Sequence, residues 1–77
     1  MKTYEEEIIS AKFGSFIRES REEKGLYQAD IAEQIGVSRS YYSLIEAGKR
    51  DIYFSLAVKI CRTLELDARK LIECLKE

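Results

Sequence analysis

An all-α fold of five helices packed round one small core is the expectation for this sequence, and three observations lead to it. Apolar residues recur at three- and four-residue intervals, the period of a helix with one buried face, and no stretch alternates as a strand would. Glycines stand at 25, 36 and 48, each just after such a segment, where a chain leaving a helix turns into the left-handed conformation. With 77 residues, 45% of them apolar, the chain suits one domain spanning 1–77 and is too short for a second.

The first helix starts at Thr3, whose hydroxyl pairs with Glu6 as a capping box. Ile9, Phe13, Phe16 and Ile17 form its inner stripe, and Gly25 stops it. Gly14 lies inside this span and either kinks the helix or divides a short N-terminal piece from the main one. The second helix covers Gln28 to Ile35, with Ile31, Ala32 and Ile35 inward, and ends at Gly36. Ser38 caps a third, Arg39 to Glu46, with Tyr42 and Ile45 inward and Arg39, Ser40 and Ser43 outward; Gly48 closes it. Two short helices joined by a glycine-containing turn make a helix-turn-helix pattern, its core at about 28–46. A fourth helix runs from about Phe54 to Leu64 and packs Ala57, Ile60, Cys61 and Leu64. Asp67 caps the fifth, from Ala68 to the end, with Leu71, Ile72 and Leu75 inward.

Composition argues against catalysis. Histidine, the commonest general base and metal ligand, is absent, and no glycine-rich phosphate loop occurs. Cys61 and Cys74 stand thirteen apart, with no base to activate them and no further ligand to complete a zinc site. Both read as small hydrophobes in a reduced, cytoplasmic protein that needs no metal or cofactor. No run of about eighteen apolar residues is available to span a membrane, and Glu5, Glu6 and Glu7 do not suit a signal peptide. The net charge of −1 hides an asymmetry. Residues 37–62 hold five Lys/Arg against two Asp/Glu, whereas residues 1–36 hold five against eight. The middle of the chain can therefore present a basic face to phosphate although the whole is acidic.

From Phe13 to Arg50 the string FGSFIRESREEKGLYQADIAEQIGVSRSYYSLIEAGKR carries a series of spaced landmarks. They are Ile17, Arg21, Gly25, Leu26, Gln28, Ile31, Ala32, Gly36, Val37, Ser38, Ile45, Glu46, Gly48 and Lys49, with Ile60, Leu64, Leu66 and Leu71 following as an apolar frame. In these the chain resembles the phage-repressor-like helix-turn-helix proteins, the Cro/repressor or Xre family, over residues 13–72. The resemblance implies a lambda-repressor-like domain that regulates transcription by binding double-stranded DNA, with its third helix in the major groove. It further implies an ion pair between Arg21 and Glu46 that ties the first helix to the end of the third. Three positions depart from the family. Tyr27 replaces the usual Ser or Thr cap of the second helix, a loss of roughly 1 kcal/mol if nothing substitutes. Ile52 and Tyr53 stand where Pro-Ser is frequent, and Leu44 takes the place of a polar base reader.

Carried onto this sequence, the family's mode of binding makes Arg39, Ser40, Tyr41 and Leu44 the candidates for base edges, with Ser43 on the margin. Arg39 is placed to grip guanine bidentately, and Leu44 can touch a thymine methyl. Tyr41 either reaches DNA or covers the seam between the second and third helices. Gln28, Ser38, Lys49, Arg50 and Tyr53 are the candidates for backbone phosphates, which fix register without reading sequence. One module of this size contacts too little DNA for specific binding, so a homodimer on a palindromic operator is expected. Ile52, Phe54, Leu66, Ile72 and Leu75 either form its interface or complete the core. No small-molecule ligand is expected. The alternative is a protein-interaction module, antitoxin-like or an adaptor, that keeps the same fold; Tyr27, Leu44 and the acidic balance favour it.

Overall fold

The computed structural model describes residues 3–76. Five helices follow one another: α1 (Tyr4–Glu23), α2 (Gln28–Ile35), α3 (Arg39–Glu46), α4 (Phe54–Thr63) and α5 (Ala68–Lys76). Among the described residues no strand occurs, and no helix is long and apolar enough to cross a membrane.

Capping chemistry sets the ends. Thr3 Oγ1 accepts from the Glu6 amide at 3.1 Å, and Ser38 Oγ accepts from the Tyr41 amide at the same distance. The Asp67 carboxylate accepts from the Arg69 amide at 2.9 Å and opens α5. Tyr27 offers α2 no side-chain cap, but Asp30 reaches back to accept the Tyr27 amide at 2.8 Å, so the helix recovers half of a capping box from within. Gly36, at φ 79°, closes α2 by turning the chain so that the amides of Gly36 and Val37 both reach the Ala32 carbonyl. The same closure ends α4 without a glycine: Glu65 takes φ 55° while the Leu66 amide bonds back to the Cys61 carbonyl at 2.8 Å.

The core is one cluster of Phe13, Ile17, Ile31, Ala32, Ile35, Tyr42, Ile45, Leu56, Ile60 and Leu64. Around it α1 packs on α3 and α5, and α2 packs on α3 and α4. Ala32 is buried in that core.

Several expectations need correction. Gly14 does not divide α1, which is unbroken from Tyr4 to Glu23. Its role is proximity: a Cβ there would lie 2.4 Å from the Glu46 carbonyl oxygen and 2.6 Å from that of Ile45. The end of α3 thus rests on the bare backbone of α1. Ile9 is exposed, because its turn of α1 runs past the end of the core. Ile72 also faces outward, leaving Leu71 and Leu75 as the half-buried residues of α5. Leu56 is fully buried although no inward role was expected of it, and it anchors the first turn of α4. Cys61 is a half-buried free thiol whose pKa burial pushes up, so it behaves as a hydrophobe. The Cys74 side chain lies outside the described residues.

Candidate nucleic-acid interface

The candidate surface is the outer side of α3, and its orientation is fixed from behind. Arg21 of α1 donates from Nε to Glu46 Oε2 at 2.7 Å and from Nη2 to Oε1 at 3.1 Å, a bidentate pair at the end of α3. Its remaining nitrogen, Nη1, donates to the Leu26 carbonyl at 2.7 Å in the turn before α2. Gln28, the first residue of α2, donates from Nε2 to Glu46 Oε1 at 3.0 Å. One carboxylate therefore gathers α1, α2 and α3 into a single frame.

This arrangement adds a structural contact to what is expected of Gln28. One N–H of its amide is held by Glu46, and the same NH2 group carries a second N–H. The reason is physical: Glu46 is only 4% exposed, and a buried carboxylate needs more donors than one guanidinium supplies. Sequence spacing gives no sign of this, since the partners stand eighteen positions apart.

Charge in the frame is settled by the same contacts. Burial disfavours the Glu46 carboxylate, but hydrogen bonds from Arg21 and Gln28 and the guanidinium charge outweigh it and hold the pKa below its usual 4.5. A folded-state pKa below the unfolded one stabilises the protein above the unfolded value, and that contribution is lost as pH falls through the folded value. The melting temperature is therefore expected to drop on acidification below about pH 4.5, and Glu46→Gln to remove this part of the acid response in melting curves taken across pH 2–7. The Tyr42 hydroxyl, buried beside the pair, has its pKa pushed well up by burial and by the neighbouring Glu46 carboxylate.

In front of this frame lie the residues expected to meet DNA. Arg39 and Ser40 are exposed in the first turn of α3, Leu44 is exposed one turn on, and Ser43 is half-buried at the edge. Tyr41 is half-buried, packs against the core, and carries the Arg50 guanidinium over its ring. Lys49, Arg50 and Tyr53 are exposed on the chain that follows α3, and Ser38 is exposed at its start with its oxygen engaged in the cap. Across residues 37–53 the acids are Glu46, which faces inward, and Asp51, which is exposed, so this surface carries the three cations Arg39, Lys49 and Arg50 against one exposed carboxylate.

The five residues expected at a dimer interface differ in exposure. Ile52 and Leu66 pack against the core, and Leu75 lines a hollow beside Ile9, Phe13 and Ile52. Phe54 and Ile72 are exposed, Phe54 to 84%. Phe54 and Leu66 flank an open groove of about 650 Å³ along α4 and α5, with Val58, Cys61 and Leu71. No group of acids and cysteines among the described residues could hold a metal ion.

Comparison with known proteins agrees with this architecture. The helix-turn-helix family matches residues 17–71. The control protein C.MunI of a Mycoplasma species is 38% identical over 64 residues, 82% of this chain and 86% of that protein. The restriction-modification controller protein C.AhdI from Aeromonas hydrophila superposes with a TM-score of 0.73 at 36% identity, covering 79% of this chain and 92% of that one. The restriction-modification controller protein C.Esp1396I, solved as a tetramer in complex with its natural 35 base-pair operator, superposes with a TM-score of 0.78 at 25% identity, covering 99% of this chain and 100% of that one.

Proposed function

Matched by the family over most of its length, this chain belongs to the helix-turn-helix proteins of Xre type, and we propose that it is a transcriptional regulator that binds operator DNA. On this reading the N-terminal half of α3 enters the major groove of a double-stranded operator. One observation carries it: the outward surface of residues 37–53 is net basic, with Arg39, Lys49 and Arg50 against Asp51, because Glu46 is turned inward onto Arg21. A like-charged carboxylate at the groove would repel phosphate; burying it inside the frame removes the obstacle and stiffens the helix at once.

Arg39 is the base reader, Ser40 and Leu44 line the same face, and Ser43 borders it. Gln28, through its second amide N–H, and Ser38, Lys49, Arg50 and Tyr53 contact the backbone on either side. The protein acts as a single non-enzymatic domain, in the cytoplasm, with no cofactor. The relatives' names support a controller role, and C.Esp1396I, a tetramer on its operator, supports binding by more than one copy. A homodimer on a palindrome is the simplest such assembly, since one recognition helix buries too little surface for specific affinity. Exposed Phe54 and Ile72 are its apolar contacts. Sedimentation at micromolar concentration, with and without DNA, tests this; monomer alone in both conditions would refute the dimer.

A gel shift separates reading from holding. Arg39→Ala is expected to cost roughly 1–3 kcal/mol on the preferred site and to flatten preference at one base pair per half-site. Lys49→Ala is expected to weaken preferred and random DNA alike and to lower the salt slope by about one. Intact base preference in the Arg39 variant would show that another residue reads the groove.

A further inference from the structure

Tyr41 and Arg50 are nine residues apart in sequence, yet the guanidinium carbon of Arg50 lies over the Tyr41 ring, 5.3 Å from its centre. The backbone makes the approach. Gly48, at φ 73°, reverses the chain after α3, and the Lys49 amide bonds back to the Leu44 carbonyl at 2.9 Å, which returns residue 50 alongside the helix. Tyr41 is a steady platform: its ring packs against the core and its amide is held by the Ser38 cap. A guanidinium lying on an aromatic face engages its π surface there and keeps its donors in the plane, at the outer edge.

We propose that Tyr41 is a positioning residue, whose ring holds the Arg50 guanidinium edge-outward at the flank of α3 so that it meets a DNA phosphate in a fixed orientation. The proposal rests on the DNA-binding reading above and gives Tyr41 a role other than touching DNA. An arginine in a loop loses much rotamer freedom when it grips a phosphate, and ordering it beforehand lowers that cost. Lys49, a flexible point charge beside it, is not stacked, so the two neighbouring cations are not equivalent. At an exposed site such stacking corresponds to about a two- to fivefold change in affinity.

Two measurements test this. In the free protein, NMR is expected to show the Arg50 side-chain protons shifted upfield by the ring in the wild type and in Tyr41→Phe, and unshifted in Tyr41→Leu. Titration of a mixed-sequence DNA duplex then forms a double-mutant cycle: Tyr41→Leu weakens binding about two- to fivefold when Arg50 is present and adds nothing in an Arg50→Ala background. Tyr41→Phe retains the coupling. Should Tyr41→Leu melt, Arg50→Lys provides the same comparison from the exposed side, weakening binding although charge is kept. An unshifted Arg50 in the wild type overturns the proposal. So does an equal effect of Tyr41→Leu with and without Arg50, loss of coupling in Tyr41→Phe, or wild-type affinity in Arg50→Lys. A wild-type protein that binds no duplex overturns the DNA-binding reading, and the phosphate contact with it; wild-type binding without coupling overturns only the role given to Tyr41.

Discussion

Glu46→Ala is expected to lower the unfolding free energy by about 3–5 kcal/mol, the range for breaking a buried ion pair from one side. The variant takes the acceptor from three donors, Arg21 Nε, Arg21 Nη2 and Gln28 Nε2, and leaves a guanidinium whose side chain is 11% exposed without its counter-charge. A domain of this size has a stability of only about 4–12 kcal/mol, so the loss is a large fraction of the whole. Denaturant unfolding measures it directly. The paired change Arg21→Met with Glu46→Leu is expected to be milder than Glu46→Ala alone, because replacing both charges removes the desolvation that the single variant leaves unbalanced. Equal destabilisation by the two would mean that packing volume, rather than the stranded charge, governs the effect.

Gly14→Ala is expected to destabilise by about 2–3 kcal/mol, against the intrinsic preference of a helix interior for alanine by about 0.5–1 kcal/mol. The sign is reversed because the added Cβ would meet the carbonyl oxygens of Glu46 and Ile45 and the Glu46 carbonyl carbon, all closer than 3.0 Å and all backbone. No rotamer change relieves such a contact, so α1 and α3 must separate. At about 4–8 °C per kcal/mol, the melting temperature should fall by roughly 10–20 °C. Ser15→Ala, at an exposed neighbour on the same helix, is the comparison and should stay within about 0.5 kcal/mol. A Gly14 variant that melts with the wild type would show that the seam between α1 and α3 yields.

Most of the architecture could be read from local chemistry. The ends of α2 and α3 follow from Gly36, Ser38 and Gly48 acting within a turn of themselves, and the inward faces of both helices follow from spacing alone. What escaped is non-local. In α4 the run Leu56, Ala57, Val58 offers three successive apolar residues, and periodicity cannot choose which faces the core. Ile9 and Ile72 fit the helical period but lie where neighbouring elements have run out. Gly14 looked like a defect in a helix because the backbone it admits comes from residues more than thirty positions later. The candidate surface was legible through the family resemblance, residue by residue. The engagement of Gln28 by Glu46 and of Arg50 by Tyr41 was not, since the first depends on how α2 packs on α3 and the second on how the chain returns after α3.

The frame built on Glu46 bears on how an operator is fitted. A helix tied through one buried carboxylate to two others, and seated on bare backbone at Gly14, has little freedom to rock within the groove. Mechanical compliance in the proposed complex then falls to the duplex, which bends, twists or narrows until both half-sites meet two stiff probes. Deformation depends on base steps the protein never touches, because flexible pyrimidine–purine steps yield more readily than stiff A-tracts. Preference at the operator's centre would accordingly be written in the elasticity of the DNA, with the protein supplying the rigid template against which it is measured.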